Sequence, residues 1–188
     1  MSSIIHIISM GLLLKKYQEE IIPALKKELG LKNLYQIPRV QKISLNIGIG
    51  RSLKDPQFLE IAEHTLTRIS GQKPIRTKAK KSIASFKIRQ GMVVGLSVTL
   101  RKKRMHDFLE KLISFTLPRI RDFRGIDAKA VDQQGNLTIG FKEHIAFPEI
   151  RSDEIDKIHG IEVTIVTNAK SRENGLVLFR KLGFPFKK

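Results

Sequence analysis

The sequence predicts an α+β fold built on a mainly antiparallel sheet. Segments of two-residue periodicity, with Ile43, Leu45 and Ile47 alternating with Ser44 and Asn46, are mixed with segments of helical periodicity. The two kinds do not alternate regularly, as the strand-helix-strand units of a parallel sheet would require. Turn chemistry such as Gln133-Gln134-Gly135-Asn136 sits directly before a strand candidate. No repeat, low-complexity segment or linker interrupts the chain. Residues 15–188 are therefore read as a single domain, with residues 1–14 as an N-terminal extension.

The first element predicted is a helix over residues 12–29, where Leu13, Tyr17, Ile21, Ala24 and Leu25 keep close to helical spacing and Gly30 stops the run. Pro23 inside it predicts a kink or a break. The apolar residues just upstream (Ile4, Ile5, Ile7, Ile8 and Met10) have no basic residue before them and are far too few to span a bilayer, which argues against a secretory signal. Met10 is an alternative start, with residues 1–9 as an upstream extension. A half-buried strand follows around Ile43–Ile47, ended by Gly48 and Gly50. Asp55-Pro56 then opens the clearest helix. It combines a capping carboxylate, proline at the first helical position, an apolar face of Phe58, Leu59, Ala62, Leu66 and Ile69, and Gly71 as the stop. Further along come a strand over 92–100, a helix from Met105 to Leu117 ended by Pro118, a basic loop over 119–125, and strands over 137–141 and 161–167. A last helix runs from Arg172 to Leu182, capped by Ser171 and stopped by Gly183.

Charge narrows the function. Thirty-five Lys and Arg stand against 18 Asp and Glu, a formal net charge of +17 that favours an anionic partner, either nucleic acid or an anionic membrane surface. The absence of cysteine removes disulfides, thiolate metal sites and cysteine catalysis. The histidines (His6, His64, His106, His144 and His159) are scattered with no helical spacing between any two, so they are read as ordinary surface or core residues; no metal or other cofactor is expected. Gly48-Ile49-Gly50 lacks the third glycine of a dinucleotide fingerprint and the lysine of a phosphate loop, so it reads as a tight turn. Asp153, Glu154 and Asp156 lie near His159 in sequence, but an exposed helical turn accounts for them more simply than acid-base machinery. No nucleophile stands beside a base, and the chain is not expected to be an enzyme.

The informative stretch begins at His64. From there to His106 no acidic residue occurs, while 12 of the 35 basic residues do, with nothing inside the stretch to pair them. Within it, GQKPIRTKAKKSIASFKIRQG (71–91) interleaves cations with Ser, Thr and Gln, which bond phosphates and 2′-hydroxyls. Phe86 sits among the cations, where it can stack on an unpaired base, and glycines bracket the run as for a long loop. A solvated charge run is the plainer alternative. Membrane docking fits less well, because no amphipathic apolar face accompanies the charge.

Residues 66–91 (LTRISGQKPIRTKAKKSIASFKIRQG), together with IPRVQKISLNIGIG (37–50), LPRIRDFRG (117–125), FPEI (147–150) and FPFKK (184–188), strongly resemble the L-five family of bacterial-type large-subunit ribosomal proteins, which bind 5S ribosomal RNA. The resemblance covers residues 15–188. It implies a twisted antiparallel sheet with helices packed on one face and a projecting basic loop. It also implies anchoring of 5S RNA in the central protuberance, with contacts to large-subunit RNA, neighbouring protuberance proteins, a small-subunit head protein and transfer RNA in the P site. Carried over by motif, Asn46, Gln72, Phe86, Arg89 and Thr99 would form the 5S patch. Lys73, Arg76, Lys78, Lys80 and Lys81 would form the projecting loop near transfer RNA, and Arg119, Arg121 and Arg124 are further RNA-binding candidates. The implied location is the cytoplasmic ribosome of a bacterium, or an organellar ribosome. The competing readings are a non-ribosomal basic RNA-binding protein and a nucleic-acid enzyme using a basic groove.

Overall fold

The computed structural model describes residues 12–31, 33–50, 55–150 and 157–187. Five strands, β1 (Val40–Gly48), β2 (Ile75–Lys78), β3 (Val93–Leu100), β4 (Leu137–Phe141) and β5 (Ile161–Thr167), form one sheet in the order β2-β3-β1-β5-β4. The helices are α1, a continuous run of Leu12–Lys16, Tyr17–Ile21 and Ile22–Glu28; α2 (Pro56–Ser70); α3 (Lys102–Lys111); and α4 (Arg172–Leu182). This is the expected α+β class. The apolar extension before Leu12, the alternative start at Met10 and the acidic cluster at 153–156 lie outside the described residues.

The strands sort their residues by face. On β1, Ile43, Leu45 and Ile47 are buried while Ser44 and Asn46 between them are only half-buried. On β3, Leu96, Val98 and Leu100 are buried, Ser97 is half-buried and Thr99 is exposed. One face is thus apolar and the other is lined by short polar side chains.

Contacts divide the chain into two compact units, and each is described by itself. One comprises Ser44–Thr99 and Gly140–Val163. Its helix α2 begins as the sequence predicts: the Phe58 N–H donates to Asp55 Oδ1 at 3.2 Å, Pro56 occupies the first turn, and Gly71 ends the helix in the left-handed region (φ 65°). Phe58, Ala62, Leu66 and Ile69 form its buried stripe. The imidazoles of His144 and His159 stack at 4.1 Å under the edge of Phe58, so two histidines far apart in sequence form one buried pair rather than two unrelated side chains.

The other unit runs to Ile43, then Leu100–Ile139, then from Thr164 onward. Two of its prolines, Pro23 and Pro118, meet one steric problem in one way. A proline ring clashes with the carbonyl four residues back, here those of Glu19 and Ser114. Each carbonyl lies in a widened π turn, Tyr17–Ile21 before Pro23 and Leu112–Thr116 before Pro118, closed by Ile22 N–H to Tyr17 O and Leu117 N–H to Leu112 O. Pro23 therefore neither breaks nor ends α1, contrary to the simplest sequence expectation. The later helix starts at Lys102, earlier than Met105, and Pro118 sits in a 3₁₀ turn, Leu117–Arg119. The ion pair of Lys181 with Glu28, 2.8 Å, ties α4 to α1.

The buried histidine pair makes the fold acid-sensitive. Burial and the neighbouring His159 push His144 down to about 4, and burial also lowers His159. Both are neutral when folded, whereas an unfolded histidine titrates near 6.5. Their stabilisation is complete above about 6.5 and is lost as pH falls from there toward 4, because the unfolded chain takes up protons first. Asp55 and Asp132, held below the usual carboxylate range by hydrogen bonds, act only at still lower pH. The Tm measured by calorimetry should fall between pH 6.5 and 4, and His144→Phe should flatten that fall. An equally steep fall in the variant would refute the assignment.

Candidate nucleic-acid interface

All ten candidates from Asn46 to Thr99 fall in the unit containing Ser44–Thr99. Their conformation departs from the expected long loop. Ile75–Lys78 is an edge strand, paired antiparallel with β3 in the register Ile75↔Ser97, Arg76↔Leu96, Thr77↔Gly95 and Lys78↔Val93, with a bulge between Thr77 and Lys78. All four residues are exposed, so no apolar alternation announces the strand, and the cations mark it as an edge protected against further pairing. Lys73 precedes this strand, Arg76 and Lys78 belong to it, and only Lys80 and Lys81 lie in the connection beyond it.

The projecting element is instead 79–92. It is pinched at its base, where Ala79 N–H donates to Met92 O (2.8 Å) and Gly91 N–H to Ala79 O (3.0 Å). A second pinch follows, Ile83 N–H to Ile88 O (2.9 Å) and Ile88 N–H to Ile83 O (3.1 Å). A 3₁₀ turn, Ala84–Phe86, closes the tip, with Lys87 at φ 56°. Phe86 is thus at the tip and 69% exposed, as a stacking side chain requires. Arg89 is also exposed; its backbone N–H lies 3.1 Å from Met92 Sδ.

The acid-free stretch is not without an internal partner, because the partner comes from α2. Arg76 gives Glu63 two bonds, Nε at 3.1 Å and a second guanidinium nitrogen at 2.7 Å. Glu63 stands one residue outside the acid-free stretch, which is why the stretch by itself hid the pair. The contact also places α2 on the Leu96 face of the sheet, since Arg76 registers with Leu96.

Asn46 and Thr99 lie on the open, polar face. Asn46 Oδ1 accepts the Ser97 hydroxyl at 2.7 Å, which leaves the amide nitrogen as a donor with no partner among the described residues. Ser97 registers with Ile75, itself 72% exposed, so Asn46, Ser97 and Ile75 form a row across β1, β3 and β2. Ser97 and Ile75 were not among the sequence candidates. The alternation of Ser97 and Thr99 against Leu96, Val98 and Leu100 was the available signal for the former. Gln72 is half-buried after the α2 cap, with its backbone N–H on Ser70 Oγ at 3.1 Å.

Arg119, Arg121 and Arg124 belong to the other unit and are all exposed at its surface. Their loop is anchored behind Gly125, where Ile126 N–H donates to Pro185 O (2.7 Å) and Lys187 N–H to Ile126 O (2.9 Å). The two sequence motifs LPRIRDFRG and FPFKK are therefore one local assembly.

Among the described residues no cluster of three or more His, Asp or Glu is arranged to hold a metal ion, and no helix is long and apolar enough to cross a membrane. An open polar sheet face, bordered by a cationic edge strand and a loop with an exposed aromatic tip, defines a scaffold protein that binds polyanions through shape and side-chain hydrogen bonds. Comparison makes the class specific. Residues 33–89 match ribosomal protein L5, and residues 93–186 match the C-terminus of the same ribosomal family. Proteins called large ribosomal subunit protein uL5 are similar over nearly the whole chain. That of Desulfatibacillum aliphaticivorans is 53% identical over 179 residues, 95% of this chain and 100% of the relative. That of Colwellia psychrerythraea is 52% identical over 172 residues, 92% of this chain and 95% of the relative. That of Mycoplasma capricolum is 50% identical over 173 residues, 92% and 96%. The chain belongs to the ribosomal protein L5 family.

The pinched loop gives a direct expectation for the free protein. Backbone amides of Ala79, Ile83, Ile88 and Gly91 should exchange with solvent more slowly than those of Lys80 and Ser82, because only the former are hydrogen-bonded in the loop ladder. Uniformly fast exchange across 79–92 would show that these hydrogen bonds do not hold the loop in the free protein.

Proposed function

We propose that the protein is a structural constituent of the large ribosomal subunit that binds 5S ribosomal RNA and anchors it in the central protuberance. The observation that carries this reading is the half-buried amide of Asn46, held by Ser97 on a polar sheet face beside the cationic β2 edge. Amides and hydroxyls fixed on a rigid sheet read base edges and 2′-hydroxyls, while surrounding Lys and Arg neutralise phosphates. Family membership supports the ribosomal assignment, and the relatives named above are large-subunit proteins of bacteria. The remaining partners implied by the family are large-subunit RNA, neighbouring protuberance proteins, the small-subunit head and transfer RNA in the P site. Contact with the transfer RNA is assigned to the loop 79–92, whose double pinch carries Lys80, Lys81 and Phe86 away from the sheet. The arginines at 119, 121 and 124 offer the second unit its own RNA contact.

Gel-shift of purified protein with 5S RNA, transfer RNA and duplex DNA at matched salt tests the reading. Binding to 5S RNA should be the tightest and should fall with a log–log salt slope of about −0.7 to −0.9 per phosphate contacted. A flat salt response would sever the net charge from RNA binding. Asn46→Ala and Gln72→Ala should each weaken 5S binding by roughly 1–3 kcal/mol while the protein stays folded. Wild-type affinity in both would remove the patch from the 5S site.

The division of labour has a separate test. Lys80→Ser with Lys81→Ser should leave 5S binding largely intact and speed dissociation of P-site transfer RNA from assembled ribosomes. Loss of 5S affinity comparable to Asn46→Ala, or an unchanged dissociation rate, would refute it.

A further inference from the structure

Glycine in or beside a strand needs a reason, since it weakens the strand and packs nothing. Nine of the twelve described glycines have one within the fold. Six adopt a positive φ, and at Gly95, Gly160 and Gly175 an added Cβ would meet another atom at 2.9, 2.9 and 2.6 Å. Gly48, Gly50 and Gly140 have neither reason among the described residues: their φ is ordinary and no described residue lies within 4 Å of the Cβ they lack. All three line a single groove of about 690 Å³. The fold leaves them unexplained, and close approach by something outside the chain explains them together.

A second, independent feature of the same groove points to a ligand. His159 lines it and is 6% exposed, yet its Nε2 is buried without a hydrogen-bond partner among the described residues. Its Nδ1 lies 3.1 Å from the Lys157 carbonyl, which only accepts, so Nδ1 carries the proton and Nε2 is a bare acceptor. The stack on His144 and the edge contact with Phe58 hold the ring in place. Glu162 and Asn46 also line the groove; the exposed Glu162 ends in a carboxylate, an acceptor, and the Asn46 amide nitrogen, unpartnered among the described residues, is a donor. With Lys142 and Glu162 balancing, the lining has little net charge, which suits a base rather than a phosphate.

We propose that this groove receives an unpaired guanine of the bound RNA, its flat face against the glycine backbone and its Watson–Crick edge on the Glu162 carboxylate. Guanine presents N1–H and N2–H₂ side by side, the pair of donors a carboxylate takes together; its O6 acceptor suits the Asn46 amide. Lys142 at the rim meets the phosphate of the same nucleotide. The inference rests on the reading of this protein as a 5S RNA binder and adds a base-specific subsite to it.

Kethoxal, which reacts with N1 and N2 of unpaired guanine, tests the subsite on the complex of the full chain with 5S RNA. Wild-type protein should protect a guanine that is reactive in free RNA. Gly48→Val and Gly140→Val place a side chain where the structure has open space, so Tm should hold while affinity falls at least tenfold and that guanine becomes reactive. Glu162→Gln, an exposed change that keeps the fold, should re-expose the same guanine. Gln72→Ala should weaken binding yet leave the guanine protected at saturating protein. If wild type binds 5S RNA but protects no guanine, or if Gly140→Val and Glu162→Gln protect it as wild type does, the groove is not a base site. Protection of an adenine N1 from dimethyl sulfate, with no guanine protected from kethoxal, overturns the guanine assignment. If Gln72→Ala loses affinity and the glycine variants do not, the 5S patch stands without the groove. If wild type shows no 5S binding, both readings fall.

Discussion

Everything in the structure depends on the period-two alternation of β1. Ile43, Leu45 and Ile47 go to the covered face and Ser44 and Asn46 to the open one. Each fully buried aliphatic side chain is worth about 1.5–3 kcal/mol. Slipping β1 by one residue would bury Asn46 and expose its apolar neighbours, so register is strongly specified. The energetics of burial and the placement of the recognition amide are one fact. β1 lies in the middle of the strand order, with β3 on one side and β5 on the other, so its register is imposed on two neighbours.

The open face then has a physical character that charge counting does not convey. The row from Asn46 through Ser97 to Ile75 is polar and apolar rather than cationic, while the cations of β2 and of the loop stand beside it. Neutral donors and acceptors on a sheet are held with little freedom, whereas lysines on a projecting loop reach but do not discriminate. This separates specificity from electrostatic attraction. Arg76 illustrates the difference: its guanidinium is already committed to Glu63, so it shapes the α2–β2 contact before any RNA arrives.

The loop 79–92 is partly organised in advance. Two pairs of backbone hydrogen bonds and a 3₁₀ tip reduce the ordering entropy that an unstructured basic segment of the same length would lose on binding. The same economy appears in the other unit, where the bridge of Ile126 to Phe186 fixes the exit of the arginine loop. In both places backbone hydrogen bonds, not side-chain packing, position the charged groups, which leaves those side chains free for an external partner.

The sequence by itself determined the α+β class, four of the five strands, the caps of α2 and α4, and the basic stretch, because each is written in local periodicity, in capping chemistry or in charge. The residues that sort onto the two faces of β1 and β3 were legible for the same reason. Tertiary structure decided the rest. β2 has no apolar alternation, so only pairing with β3 makes it a strand. The Glu63 partner of Arg76 comes from another element. The two prolines are tolerated because π turns upstream move the opposing carbonyls. His144 and His159, far apart in sequence, meet only in the folded chain. Three ordinary-φ glycines became informative only once the empty space beside them was visible. Local pattern determines what each segment prefers, but contacts between distant segments determine which side chains are satisfied, and function resides with the groups left over.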